Sequence, residues 1–155
     1  MATVRIVGID PGFDRLGVAI IEKEEQKETL IFSTCIQTSK KDEFEKRLFD
    51  GATALEKIIE NYSPHELAIE TLFFTKNQKT VITVAEMRGI CIFLGYKYGL
   101  QVFEYSPPQI KSAIAGYGGA TKEDIKIMVE RILKQPLLLK SKDDIHLIEF
   151  TPHTG

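Results

Sequence analysis

The chain has 155 residues, with 20 basic and 22 acidic side chains and a formal charge of −2, a length that predicts one domain, residues 1–155, able to bury roughly 68–70% of its unfolded surface. No apolar run reaches the ~18 residues of a membrane span, and the opening MATVRIVGIDPG meets an acid and a turn too early for a secretory leader. The two cysteines, Cys35 and Cys91, each sit in an apolar run and read as buried thiols of a reducing cytoplasm rather than as a disulfide; the weakly acidic total, taken alone, argues against a nucleic-acid partner.

Val4 to Ile9 is a short β-branched strand that stops at the turn Asp10-Pro11-Gly12. Leu16 to Ile21 and Thr29 to Ile36 read as two more strands, with the charged EKEEQKE between them as the hairpin connection, so the first third is an antiparallel meander. From Asp42 to Tyr62 the period changes: Phe44, Leu48, Ala52, Leu55 and Ile59 recur every three or four residues, one face of a helix that Ser63-Pro64 ends. Glu66 to Glu70 is a short buried strand, and the polar Thr75-Lys76-Asn77-Gln78 leads into a helix from about Thr80 to Tyr98. Gln101 to Tyr105 is a further strand. Ser106-Pro107-Pro108 is a helix start for Gln109 to Ala115, and after the loop Gly116 to Gly119 the capping pattern Thr121-Lys122-Glu123-Asp124 opens a last helix to about Lys134. The order βββαβαβαα describes an α/β domain with a mixed sheet and packed helices.

Two acids stand where local propensity opposes them. Asp10 ends the first strand and Glu70 ends the strand Leu67-Ala68-Ile69, while Asp143 and Asp144 follow the apolar Leu137 to Leu139. Desolvating a carboxylate costs several kcal/mol unless it is paired, and no Lys or Arg adjoins Asp10 or Glu70 in sequence. Converging carboxylate oxygens suit a divalent cation. From spacing alone the plainer alternative stands beside it, in which Asp10 starts a turn and Glu70 is an exposed strand-end acid.

Four segments in register, GIDPGFDRLGVAII, a strand-end IE followed by LFFTKN, YSPPQIKSAIAGYGGATKEDI and a late DD, resemble the RuvC family of Holliday junction resolvases across Ile6 to Asp144. The resemblance implies an RNase H-like fold with helices on both faces of the sheet. It further implies a cytoplasmic homodimer that cuts opposed strands of a four-way junction with Mg²⁺ (Mn²⁺ as a substitute), two ions per active site, together with the branch-migration proteins RuvA and RuvB. By position, Asp10, Glu70 and Asp144 would be metal-binding catalytic carboxylates. Lys111 and Lys122 would contact the cleaved phosphate, and Phe73 would stack on a base of the opened junction, with Lys76 and Asn77 continuing the DNA-facing loop. Both lysines also fall at expected helix beginnings, where backbone N–H groups suit phosphate oxygens. GYGG lacks the GKS/T ending of a Walker loop, so a nucleoside-triphosphate site is not expected.

The sequence departs from the family at its end. The family shows two acids three residues apart on a C-terminal helix; here Leu147 stands three residues after Asp144, and Pro152 opposes helix within residues 145–155, a stretch that reads as altered or disordered. Two explanations compete. In one, the register slips by one residue, and Asp143 with His146 forms the pair, imidazole being an acceptable ligand or base. In the other, three carboxylates remain and cleavage is impaired, leaving a junction-binding dimer. A YqgF-like nuclease acting on RNA and an actin-like ATPase are further alternatives, the second disfavoured by the short chain and the missing second phosphate loop.

Charge divides by region. From Lys76 to Lys142 there are 11 basic residues and five acids, a balance of +6 that the total conceals, and a basic region beside an anionic metal site fits a DNA-cutting enzyme. On the long helix, Val81, Ile82, Val84, Ala85, Met87 and Ile90 to Leu94 are apolar on more than one face. A surface helix shows a single stripe, so the excess predicts burial between the sheet and a partner subunit.

Overall fold

The computed structural model describes residues 3–12, 14–72, 77–106 and 108–109. Their elements follow the expected order: β1 (Val4–Asp10), β2 (Arg15–Glu24), β3 (Lys27–Gln37), α1 (Phe44–Tyr62), β4 (Glu66–Glu70), α2 (Gln78–Lys97) and β5 (Gln101–Tyr105). The five strands form one sheet in the order β3-β2-β1-β4-β5. β1, β2 and β3 are antiparallel neighbours, whereas β4 and β5 run parallel to β1, because a helix returns the chain before each of them.

One expectation needs correction. Most of EKEEQKE is ladder rather than connection: Lys23 faces Glu28 and Glu24 faces Lys27 across β2 and β3, leaving only residues 25 and 26 outside the strands. Opposite charges directly across a ladder favour its extension, and the turn is closed by Glu25 in the left-handed region at φ 55°.

Successive side chains of a strand point to opposite faces, and the two faces here differ in composition. On one, Val7 and Ile9 of β1, Val18 and Ile20 of β2 and Leu67 and Ile69 of β4 form a continuous core with Leu55 and Ile59 of α1 and Met87, Cys91 and Leu94 of α2. Gly95 permits the close seat of α2: a Cβ there would lie 2.9 Å from Val102 Cγ2 and 3.2 Å from Leu67 Cδ1. On the other face Ile6, Gly8, Ala19, Ile21 and Ala68 are also buried, so the sheet is covered on both sides although α1 and α2 share one. The helices expected at 109–115 and 121–134 lie outside the described residues, apart from a helical start at 108–109. There Gln109 N–H donates to Ser106 Oγ (3.3 Å) and Ser106 N–H donates to Gln109 Oε1 (2.8 Å), a reciprocal capping box.

The cysteines divide. Cys91 is buried among the core side chains, and burial pushes its thiol up to about 12. Cys35 is only half-buried, contrary to expectation, because it sits on edge strand β3 opposite Gly17, on the face away from α1 and α2. Arg15 Nε donates to its Sγ at 3.4 Å.

Candidate active site

Asp10 and Glu70 are brought together by strand register. β1 and β4 run parallel with Gly8 opposite Ala68 and Ile9 opposite Ile69, so the next residues, Asp10 and Glu70, close both strands at the same edge of the sheet. Neighbouring strands lie about 4.8 Å apart, and the alternation puts both carboxylates on the Gly8–Ala68 face. On their outer flanks Asp10 pairs with Gly17 and Glu70 with Tyr105. Both acids are half-buried. Glu70 is thus half-buried rather than exposed, and it lies beside Asp10 rather than apart from it. Carboxylate oxygens on neighbouring strands are hard donors of the kind that hold a divalent cation. Among the described residues no third acid, His or Cys completes such a group; Asp144, Asp143 and His146 lie outside them, as do Phe73, Lys76, Lys111 and Lys122.

The edge that carries the pair is pinned from three sides. A Cβ on Gly12 would lie 2.1 Å from the carbonyl oxygen of Arg15, so the turn leaving Asp10 closes only with glycine. From α1, the buried Arg47 pairs with Asp14 in that turn and donates from Nε to Thr38 Oγ1 at 2.9 Å. From α2, Arg88 Nε donates to the main-chain carbonyl of Glu70 at 3.1 Å, and its other arm meets the Glu104 carboxylate at 2.5 Å. Thr71 N–H donates to the Tyr105 carbonyl at 2.9 Å, extending the β4–β5 ladder past Glu70.

Arg47 and Arg88 are absent from the residues singled out in the sequence, yet each carried a signal. Arg47, Gly51, Leu55 and Ile59 are buried at four-residue intervals along α1, so an arginine occupies the core stripe. Arg88 stands three residues before the buried Cys91 and seven before the buried Gly95, the same anomaly on α2.

Two adjoining clefts open beside the carboxylates. One, of about 180 Å³, is lined by Pro11, Glu70, Thr71, Leu72, Thr80, Val81 and Val84; the other, of about 520 Å³, by Gly12, Asp14, Arg15, Lys79, Thr80, Thr83 and Val84. Thr80 and Val84 of α2 belong to both. Asn77 starts that helix, its Oδ1 accepting from Thr80 N–H at 3.3 Å, so this side chain serves as an N-cap. Along α2, Ile82, Phe93 and Tyr96 are 57%, 63% and 72% exposed.

A sheet in the order 3-2-1-4-5, its second strand antiparallel to the first and its carboxylates ending β1 and β4, defines an RNase H-like α/β domain. Residues 6–146 match the family model described as crossover junction endodeoxyribonuclease RuvC. The RuvC of Petrotoga mobilis is 43% identical over 129 residues, 83% of this chain and 79% of that protein. The RuvC of Caldanaerobacter subterraneus is 40% identical over 140 residues, 90% of this chain and 85% of that protein. Among solved structures, T. thermophilus RuvC in complex with Holliday junction substrate superposes with a TM-score of 0.87 at 25% identity, covering 95% of this chain and 90% of that one. The chain belongs to the RuvC family of crossover junction endodeoxyribonucleases.

Proposed function

We propose that this protein is a Holliday junction resolvase, a structure-selective DNA endonuclease acting in recombination and repair by paired, metal-dependent phosphodiester hydrolysis. The observation that carries the reading is the side-by-side placement of Asp10 and Glu70 at one sheet edge in a RuvC-family chain. With Asp144 they would hold two Mg²⁺, or Mn²⁺ in their place; when bound, such ions activate water and stabilise the leaving 3′-oxygen. The chain's own part is to fix the carboxylates on rigid strands, to meet the cleaved phosphate with Lys111 and Lys122, and to receive the strand along the loop of Phe73, Lys76 and Asn77. Phe73 would stack on an unpaired base, a contact contributing ~1–3 kcal/mol.

The exposed Ile82, Phe93 and Tyr96 of α2 support a homodimer joined along that helix, whose twofold axis would set two sites against opposed strands. RuvA and RuvB are the partners this reading carries, in the cytoplasm. Leu147, in the place of the family's fourth acid, makes cleavage itself the decisive assay: purified protein is mixed with a four-way DNA junction, a matched linear duplex and a structured RNA, in Mg²⁺ or Mn²⁺ at equal salt. Symmetric nicks in the junction alone are expected. Binding without nicks in either metal sinks the resolvase in favour of a junction-binding dimer, and preferential cutting of RNA sinks the choice of substrate.

A further inference from the structure

We infer that Arg88 is a positioning residue for Glu70, setting the strength with which the site takes up its metal. This rests on the reading of Glu70 as a metal ligand and concerns a side chain that reading does not use. The Arg88 side chain is 16% exposed, and its planar fork is divided between two strands. Nε is directed at the Glu70 carbonyl and one terminal nitrogen at the Glu104 carboxylate. Its charge is therefore matched by Glu104, and what reaches Glu70 is a hydrogen bond to the main chain. That bond acts at the point where β4 parts from β1 while still paired with β5. Ile69 is the last residue of β4 registered against β1, so beyond it Glu70 is held from the β5 side and from α2.

A carboxylate carried on an unheld main chain would sample more positions; the bond from Arg88 to the Glu70 carbonyl fixes the backbone from which that carboxylate reaches. Groups that orient a metal ligand in this way typically contribute 10–100-fold in metal affinity or activity. Lysine cannot replace the arrangement, since a single ammonium is no fork able to reach both strands at once.

The test compares wild type with Arg88→Met, Arg88→Lys and Glu104→Gln, all below their unfolding temperatures. Mn²⁺ binding to the protein alone is followed by the loss of the free-ion electron paramagnetic signal. Single-turnover cleavage of a four-way junction is then measured against Mn²⁺ concentration. Arg88→Met is expected to move the half-saturating Mn²⁺ concentration upward by about 10-fold or more. Arg88→Lys and Glu104→Gln should each show a smaller shift in the same direction, and junction affinity in Ca²⁺ should stay at the wild-type value. A lowered melting temperature with an unmoved Mn²⁺ midpoint makes Arg88 structural and overturns the inference. If Arg88→Met does not fold, an unmoved midpoint in both other variants overturns it equally. Failure of the wild type itself to bind Mn²⁺ and cut junctions overturns instead the assignment of Glu70.

Discussion

The two faces of the sheet are made of the same strands and built for different ends. The face under α1 and α2 carries Val7, Ile9, Val18, Ile20, Leu67 and Ile69, branched side chains at full burial. The opposite face carries Gly8, Gly17, Ala19 and Ala68 in the rows that lead to Asp10 and Glu70. Large side chains supply the burial that holds a domain together, whereas the rows that end in Asp10 and Glu70 are built from small residues at these positions. The packing face and the face of the proposed site are thereby separated by one step of strand alternation, and a one-residue slip of β1 would exchange them.

Damage to the packing face should therefore cost stability and spare chemistry. Leu67→Ala removes a fully buried side chain that touches α2 at Gly95 and is expected to lower unfolding free energy by about 2–5 kcal/mol, read from urea titration. Junction cleavage by the folded protein at low temperature should remain near the wild-type rate, and a collapse of activity without loss of stability would erase the division. Damage at the seam between the faces should do both. Asp14→Ala takes from the buried Arg47 its carboxylate partner in the turn after Asp10. It is expected to cost about 1–3 kcal/mol and to slow cleavage; a stability loss with no change of rate would detach that turn from the site.

The smallest effect is the sharpest probe of the faces. Cys35 should react with an aromatic disulfide reagent in the native protein, and Cys91 only after unfolding, because one lies on the half-buried edge and the other in the core. The pH dependence follows in sign. Burial raises the Cys91 thiol from 9.0 to about 12, so between these values the unfolded chain releases a proton that the folded chain retains. This contribution to stability is intact below pH 9.0 and is lost as the pH rises toward about 12. The urea midpoint of wild type should fall more between pH 8 and pH 10 than that of Cys91→Ala, and parallel falls would remove the thiol from the account.

Much of this was legible in the sequence because it depends on local pattern. The β-branched run before Asp10, the helical period from Phe44 to Ile59 and the serine cap at Ser106 each announce their element within a few residues. The hairpin is hidden for a physical reason: the charges of Lys23, Glu24, Lys27 and Glu28 resemble a solvated loop until their cross-strand pairing is known. Asp10 and Glu70 stand out in the sequence as acids against propensity, but their adjacency depends on β1–β4 pairing between residues sixty apart. Arg47 and Arg88 do not stand out in the sequence because a lone arginine on a helix is ordinarily a solvated charge, and only tertiary contacts with Asp14, Thr38, Glu70 and Glu104 give them a role.

The central claim is that the Asp10–Glu70 pair is the cutting centre of a protein that also binds junctions. It is tested most directly by comparing wild type, Asp10→Asn and Glu70→Gln on one labelled four-way junction. Binding is measured in Ca²⁺ by mobility shift and cleavage in Mg²⁺ by denaturing gel. Both variants are expected to bind the junction as wild type does while symmetric cleavage falls by orders of magnitude in each. Cleavage at the wild-type rate in either variant would contradict it.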